Sequence, residues 1–349
     1  MRKNRNLILI AFSAFLLLFI AACDRGGVVV GGGAPTTPFI GCTQGLEISF
    51  LEGNPPEEVT DGDTFPFQAV VKLVNNGEFN IGQDKVKVSL IGFLPSDFRL
   101  GDPNVFVNTD LIDKPPEDEL RGKKKDSEGN ILEPIEAFVT FPTELKSFGF
   151  KESIAGNTVF IFRADVCYEY ETNALSEICV LENLVDVRDD AICDPSESKT
   201  IFSSGSPVQV TSFKQNVAGR NKIQFSFDIV HSGQGTLFKP GAEDNAPNCP
   251  KDSSTRRRVE NRVFATISTG LDNIAGTASL KCVGLGPDEN KKVASGVLTL
   301  VDGKRTVTCT QNLEEDRTDF KKNIDINVKF NYLENVDQEV LVKHLVDDP

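Results

Sequence analysis

The chain has 349 residues, 51 Asp and Glu against 37 Lys and Arg, and a formal net charge of −14. That acidity excludes nucleic acid as a partner, because the phosphates would be repelled, and disfavours peripheral binding to anionic lipid. Trp is absent and only two His occur, which leaves little for sugar stacking or for imidazole-based catalysis.

The N-terminal segment bears on the compartment. Arg2, Lys3 and Arg5 form a basic head, and Leu7 to Ile20 is an apolar run broken only by Ser13. Ala21 and Ala22 then precede Cys23. These are the parts of a secretory signal with a small-residue cleavage site. A cysteine directly after the small residues resembles the lipobox of prokaryotic lipoproteins. That resemblance implies cleavage before Cys23, diacylglycerol on its thiol, and an extracytoplasmic, membrane-anchored lipoprotein of the cell envelope. On this reading residues 1–22 are the signal peptide, and residues 23–41 are a lipidated Gly/Pro-rich tether. Without Arg2, Lys3 and Arg5 the chain keeps 34 basic residues against 51 acidic ones, a net of −17. The lipid on Cys23 is then the membrane partner.

Downstream, the pattern is β. Ile48 and Phe50 alternate with polar neighbours. Phe67, Ala69, Val71 and Leu73 share one face of a run that ends at Asn75-Asn76-Gly77, a strong turn signal. Val86, Val88 and Leu90 alternate next. Residues 101–134 are charged and broken by Pro and Gly, which predicts a surface insertion with a mobile tip. Strands are expected over 137–141, and a hairpin over 159–171 and 177–181 turns about Asn173. A second series follows over 208–213, 222–230, 263–267, 278–282, 297–300 and 306–310, closed by 323–332 and 339–345. No amphipathic helix stands out.

The two series match each other. Phe67, Gln68, Ala69, Val71, Leu73 and Gly77 align with Ile223, Gln224, Phe225, Phe227, Ile229 and Gly233, an offset of 156. Val166, Tyr168, Tyr170, Asn173, Glu177, Ile178 and Val180 align with Val328, Phe330, Tyr332, Asn335, Glu339, Val340 and Val342, an offset of 162. A fixed long offset is the mark of tandem copies of one unit. The chain is therefore expected to be all-β, with one unit over 42–186, a linker over 187–206 and a second unit over 207–349. These runs resemble tandem immunoglobulin-like domains of prokaryotic envelope proteins, which implies two antiparallel β-sandwiches. The lack of Trp departs from the antibody-type core.

Of the eight cysteines, Cys23 is assigned to lipid. Symmetry about Asn173 pairs Cys167 with Cys179, alternating strand runs pair Cys282 with Cys309, and Cys193 with Cys249 is the remaining pair. Cys42 is left unpaired. A metal site is disfavoured because no CxxC spacing occurs. Asp61-Gly62-Asp63 and Asp126 to Asn130 are weighed for Ca²⁺ but lack the spaced acids and closing Glu of a calcium loop, so turn chemistry is preferred. No GxSxG, phosphate loop or HExxH occurs. His231 and His344 are read as strand-end or packing residues. No catalytic residue, cofactor or metal is expected. The sequence reading is a lipid-anchored, non-enzymatic envelope protein using its sandwiches for structural or adhesive contact with an envelope or surface protein. The alternative is an accessory binding lipoprotein that captures solute or polymer for a transport or secretion complex.

Overall fold

A computed structural model describes residues 37–98, 110–142, 146–241, 246–271, 278–288 and 293–345. Cys23, the signal peptide and most of the tether lie outside the described residues. The fold is all-β and antiparallel in nearly every pairing, with one short helix, α1 (Ser253–Val259).

Two long strands are its axis: β8 (Thr158–Val180) and β18 (Phe320–Lys343) pair antiparallel from Thr158↔Val342 to Val180↔Phe320. Their even-numbered residues point into the core. Phe162, Ala164, Val166, Tyr168, Tyr170 and Thr172 on one strand, and Ile324, Ile326, Val328, Phe330 and Tyr332 on the other, are all at most 1% exposed. β4 (Val86–Ile91) extends this sheet beyond β8. On the other side β13 (Arg262–Ser268), β16 (Val293–Thr299) and β15 (Gly286–Asp288) follow β18.

Two smaller sheets stand beside it. In the first, β3 (Ala69–Asn75) lies between β1 (Leu46–Phe50) and β7 (Glu136–Phe141). In the second the order is β10 (Val208–Gly219), β11 (Lys222–His231), β17 (Lys304–Asn312) and β14 (Lys281–Cys282). The alternation explains both. Ala69, Val71 and Leu73 are buried in β3, and Ile223, Phe225, Phe227 and Ile229 in β11. Phenylalanines join the first small sheet to the central one: the ring of Phe67 lies 5.9 Å from Phe162, and Phe98 lies 5.2 Å from Phe162. Tyr332 on β18 meets His231 at the end of β11.

Three expectations are corrected. Asn173 does not turn the chain. It sits in the middle of β8 opposite Asn327, because the face of even-numbered residues stays apolar or is hydrogen-bonded straight through it. Thr172, for example, donates to the carbonyl of Val208 at 2.6 Å. Second, 187–206 does not separate two bodies. Phe39–Pro349 is one compact unit, β9 (Ile201–Ser203) pairs with β8, and the last strands of the two halves are hydrogen-bonded neighbours. Third, the charged stretch within 101–134 is more than surface. Leu111 and Leu120 are buried, and Leu120 bridges Ile81.

The disulfides differ accordingly. Cys167 bonds Cys249 and Cys179 bonds Cys193, in place of Cys167–Cys179 and Cys193–Cys249. With no turn at Asn173, Cys167 and Cys179 lie 12 residues apart on one extended strand, roughly 40 Å, far beyond disulfide reach. Cys282 and Cys309 face each other across β14 and β17 and are bonded. Cys42 is a free, buried thiol. Three disulfides fit an oxidising, extracytoplasmic setting. Among the described residues no helix is long and apolar enough to cross a membrane.

Candidate functional site

Both histidines are engaged in holding elements together. His231 Nε2 lies 2.8 Å from the hydroxyl of Tyr332, and burial lowers its pKa. His344 Nδ1 lies 2.6 Å from Asp61 Oδ2, and Asp61 also accepts the backbone N–H groups of Leu345 and Ile154. Those bonds, led by the one from His344, hold Asp61 down at about 2. The Asp61 carboxylate thus clasps the end of β18 to the turn at residues 61–63. Asp126 spends its carboxylate inside its own turn, accepting from the backbone of Glu128 and Asn130 and from the Asn130 amide. Cys42 sits under Gly205, its thiol 3.3 Å from the carbonyl of Asn76.

A large cleft of mixed character lies elsewhere, on the outer face of the central sheet. It encloses about 1080 Å³. Its floor comes from the outward-facing residues of four strands: Glu169 and Glu171 of β8, Asn327 and Lys329 of β18, Phe264 and Thr266 of β13, and Val293, Ser295 and Val297 of β16. Its wall is Lys239 to Gly241, Asn248 and Val259. The Cys167–Cys249 bond pins that wall to β8 one residue from Asn248.

Register arranges the floor in rows. Glu171 faces Lys329, which faces Phe264, which faces Val297. With strands about 4.8 Å apart, this row runs from charged to apolar over roughly 14 Å. Lys329 Nζ lies 3.4 Å from Glu171, and the Asn327 amide also bonds Glu171, so that carboxylate is satisfied. The Glu169 side chain, two residues along, makes no hydrogen bond or ion pair among the described residues. Burial raises its pKa, with Lys85 and Lys329 opposing and Glu171 adding to the rise. Opposite Glu169 stands Asn331, fully buried. Its Nδ2 donates to the Asn248 carbonyl at 3.4 Å, while its Oδ1 has no partner.

None of these residues belongs to a sequence motif. They occupy the wet face of strands whose dry face carries the repeat, and only the β8–β18 register brings them together.

No family model matches the chain, and no curated protein matches it. Among solved structures, the secreted serine protease VesC from Vibrio cholerae aligns at 9% identity over 81% of this chain, with a TM-score of 0.16. The chain spans about half of that protein, covering 49% of it. A likeness this slight carries no argument about fold or activity.

Proposed function

We propose that this chain is a lipid-anchored, non-enzymatic protein of the cell envelope that works by binding. In this reading Cys23 carries the lipid, the Gly/Pro-rich tether lifts the body off the membrane, and the body meets an envelope or surface protein. Each half is read as an immunoglobulin-like sandwich. Strand order supports this: β1-β3-β7 against β4-β8 corresponds to A-B-E against C-F, and β10-β11-β17-β14 against β13-β18 to A-B-E-D against C-F. The place of strand G beside each F strand is taken by the F strand of the other half. Fold analogy alone is a weak warrant for function, so the reading rests on a site.

The observation that carries binding is the cleft on the central sheet, walled by a segment that a disulfide clips in place. A cleft of that volume favours the second form of the reading, capture of a solute or a polymer segment on behalf of a larger envelope complex. Two experiments test the proposal. Cys23→Ser should release the protein from membranes or leave the signal uncut, and unchanged retention with unchanged mass would refute the lipid anchor. Crosslinking in native membranes should trap a partner at a cysteine-free photo-crosslinker placed at Lys239. Trapping equal to that at Lys321, on the far side of the sheet's length, would refute the cleft as the working surface.

A further inference from the structure

The two long strands are edged differently. On the side of β8 away from β18, β9 ladders with Ala174, Leu175 and Ser176. Asn173 is held there too: its N–H goes to Ser204 Oγ at 2.9 Å, and its carbonyl takes the Ser204 N–H at 2.8 Å. The repeat offset of 162 carries these positions to Asn335 and to 336–338 of β18. On the matching side of β18, β12 (Thr236–Phe238) ladders 331–333 and β2 (Glu58–Thr60) ladders 341–343. Among the described residues no strand pairs 334–340 on that side.

The backbone of that stretch points into the gap. Leu341 donates its N–H to the Glu57 carbonyl at 2.8 Å, and the Lys343 carbonyl accepts from Asp61 at 3.0 Å, both on the side away from β8. Backbone groups of successive strand residues alternate sides, so Asn335, Asp337 and Glu339 turn theirs the same way. All three are exposed. An open edge of this kind is a template for another strand. Its surroundings say which. At one end a hollow of about 340 Å³ lies between Leu46 and Ile48 of β1, residues 234–236 and Glu334. Ile48 and Val336 pack against the core yet stay partly open, so inward side chains of an added strand meet apolar surface. The charges around the gap are acidic. Arg163 and Lys343 are taken by Asp337 and Glu58, while Glu57, Glu334 and Glu339 have no cation among the described residues.

We propose that the 334–340 edge of β18 binds an extended segment of a partner protein, antiparallel as β9 is to β8, with apolar residues toward Ile48 and Val336 and Lys or Arg at the alternate positions beside Glu339. Main-chain bonds to Asn335, Asp337 and Glu339 hold such a segment, and the alternating side chains select it. A second copy fits worse: edge-to-edge pairing about Asp337 sets Asp337 against itself, and like charges directly opposed destabilise. This surface shares no lining residue with the cleft and goes beyond the reading above.

The probes are two fluorescein-labelled heptapeptides, one alternating Lys with Val and one alternating Glu with Val. Each is titrated into the full-length protein in detergent and read by anisotropy, with micelles alone as the blank. The Lys peptide should bind about tenfold more tightly than the Glu peptide, and it should slow amide exchange at Asn335, Asp337 and Glu339. Asn335→Pro removes an outward N–H without touching the β8 ladder, so it should weaken the Lys peptide by about fivefold or more. Glu339→Gln should shrink the preference for Lys over Glu. Melting curves check that both variants fold. Equal affinity for the two peptides, no binding of either, protection confined to residues outside 334–340, or full binding in Asn335→Pro would overturn the proposal. So would a dimer in ultracentrifugation that Asn335→Pro abolishes, which would assign the edge to a second copy. The cleft reading is tested separately, at Lys239.

Discussion

The hydroxyl of Tyr170 lies 1.9 Å from the point where a Cβ on Gly77 would stand. The same relationship recurs in the other half, where the Tyr332 hydroxyl lies 2.3 Å from a Cβ on Gly233. Gly77 and Gly233 are 156 apart, and Tyr170 and Tyr332 are 162 apart, the two offsets of the repeat. Around each hydroxyl the partners also correspond. Tyr170 donates to Asn75 Oδ1 at 3.1 Å and receives the Phe79 N–H at 3.4 Å, while Tyr332 meets His231 at 2.8 Å and receives the Gly235 N–H at 2.9 Å. The Gly45 carbonyl accepts from the backbone of Asn76 and Gly77, and the Pro207 carbonyl from Ser232 and Gly233. The repeated glycine is therefore a seat for a buried tyrosine.

A methyl group at this seat has nowhere to go, since Gly205 and Gln44 carbonyls stand 2.7 and 2.8 Å away. Gly77→Ala should destabilise the protein by about 1–3 kcal/mol, the range for overpacking. Tyr170→Phe in the same chain removes the clashing oxygen, so the double mutant should be more stable than the two single losses summed. Urea melts of the cycle measure that coupling. Additive losses would show that Gly77 and Tyr170 do not share the site.

Neither half is complete alone, because β8 and β18 each supply the other's edge along more than twenty residues. A fragment ending at residue 190 should be insoluble, or should dimerise through an exposed β8. Ultracentrifugation of a refolded fragment checks this, and a stable monomer with dispersed amide resonances would contradict it.

Glu334 supplies a pH dependence. Burial raises it from 4.5 to about 7, against the hydrogen bond it accepts from Tyr168 at 2.9 Å. Between these values the folded protein holds a proton that the unfolded chain has released. Its contribution is therefore complete at the acid end and is lost as pH rises through about 7. Glu334→Gln, which keeps an acceptor for Tyr168, should flatten the fall in melting temperature between pH 5 and 8. A fall unchanged in the variant would assign it to another group.

The disulfides that close the longest and the shortest loops should differ in weight. Cys167–Cys249 spans 82 residues and Cys179–Cys193 spans 14. By the chain-entropy relation these loops correspond to roughly 4.5 and roughly 3 kcal/mol. Replacing Cys167 and Cys249 together by Ser should therefore cost more stability than replacing Cys179 and Cys193. It should also loosen the cleft wall at Asn248, which loses its clip. Peptide mapping without reduction should recover these pairs, and a Cys167–Cys179 link would refute the strand register.

By itself, the sequence determined the local structure and the repeat. Alternation fixes which residues of 67–73, 86–90 and 223–229 face inward, because period two leaves no choice once one face is apolar. Strands facing one another explain why Cys282 and Cys309 were legible. What stayed out of reach was everything decided by partners distant in the chain. Asn173 carries turn chemistry, yet it lies in a strand because β18 offers it a ladder partner on one side and Ser204, just past β9, bonds its backbone N–H and carbonyl on the other. The same pairing fuses two similar halves into one unit and moves Cys167 and Cys179 to new partners. It also sets Glu169 against Asn331, which is both its ladder partner and its counterpart in the repeat, 162 residues on. No spacing within a single strand encodes that pair. Side-chain alternation is a property of one strand, whereas register between strands is chosen by the packing of the whole.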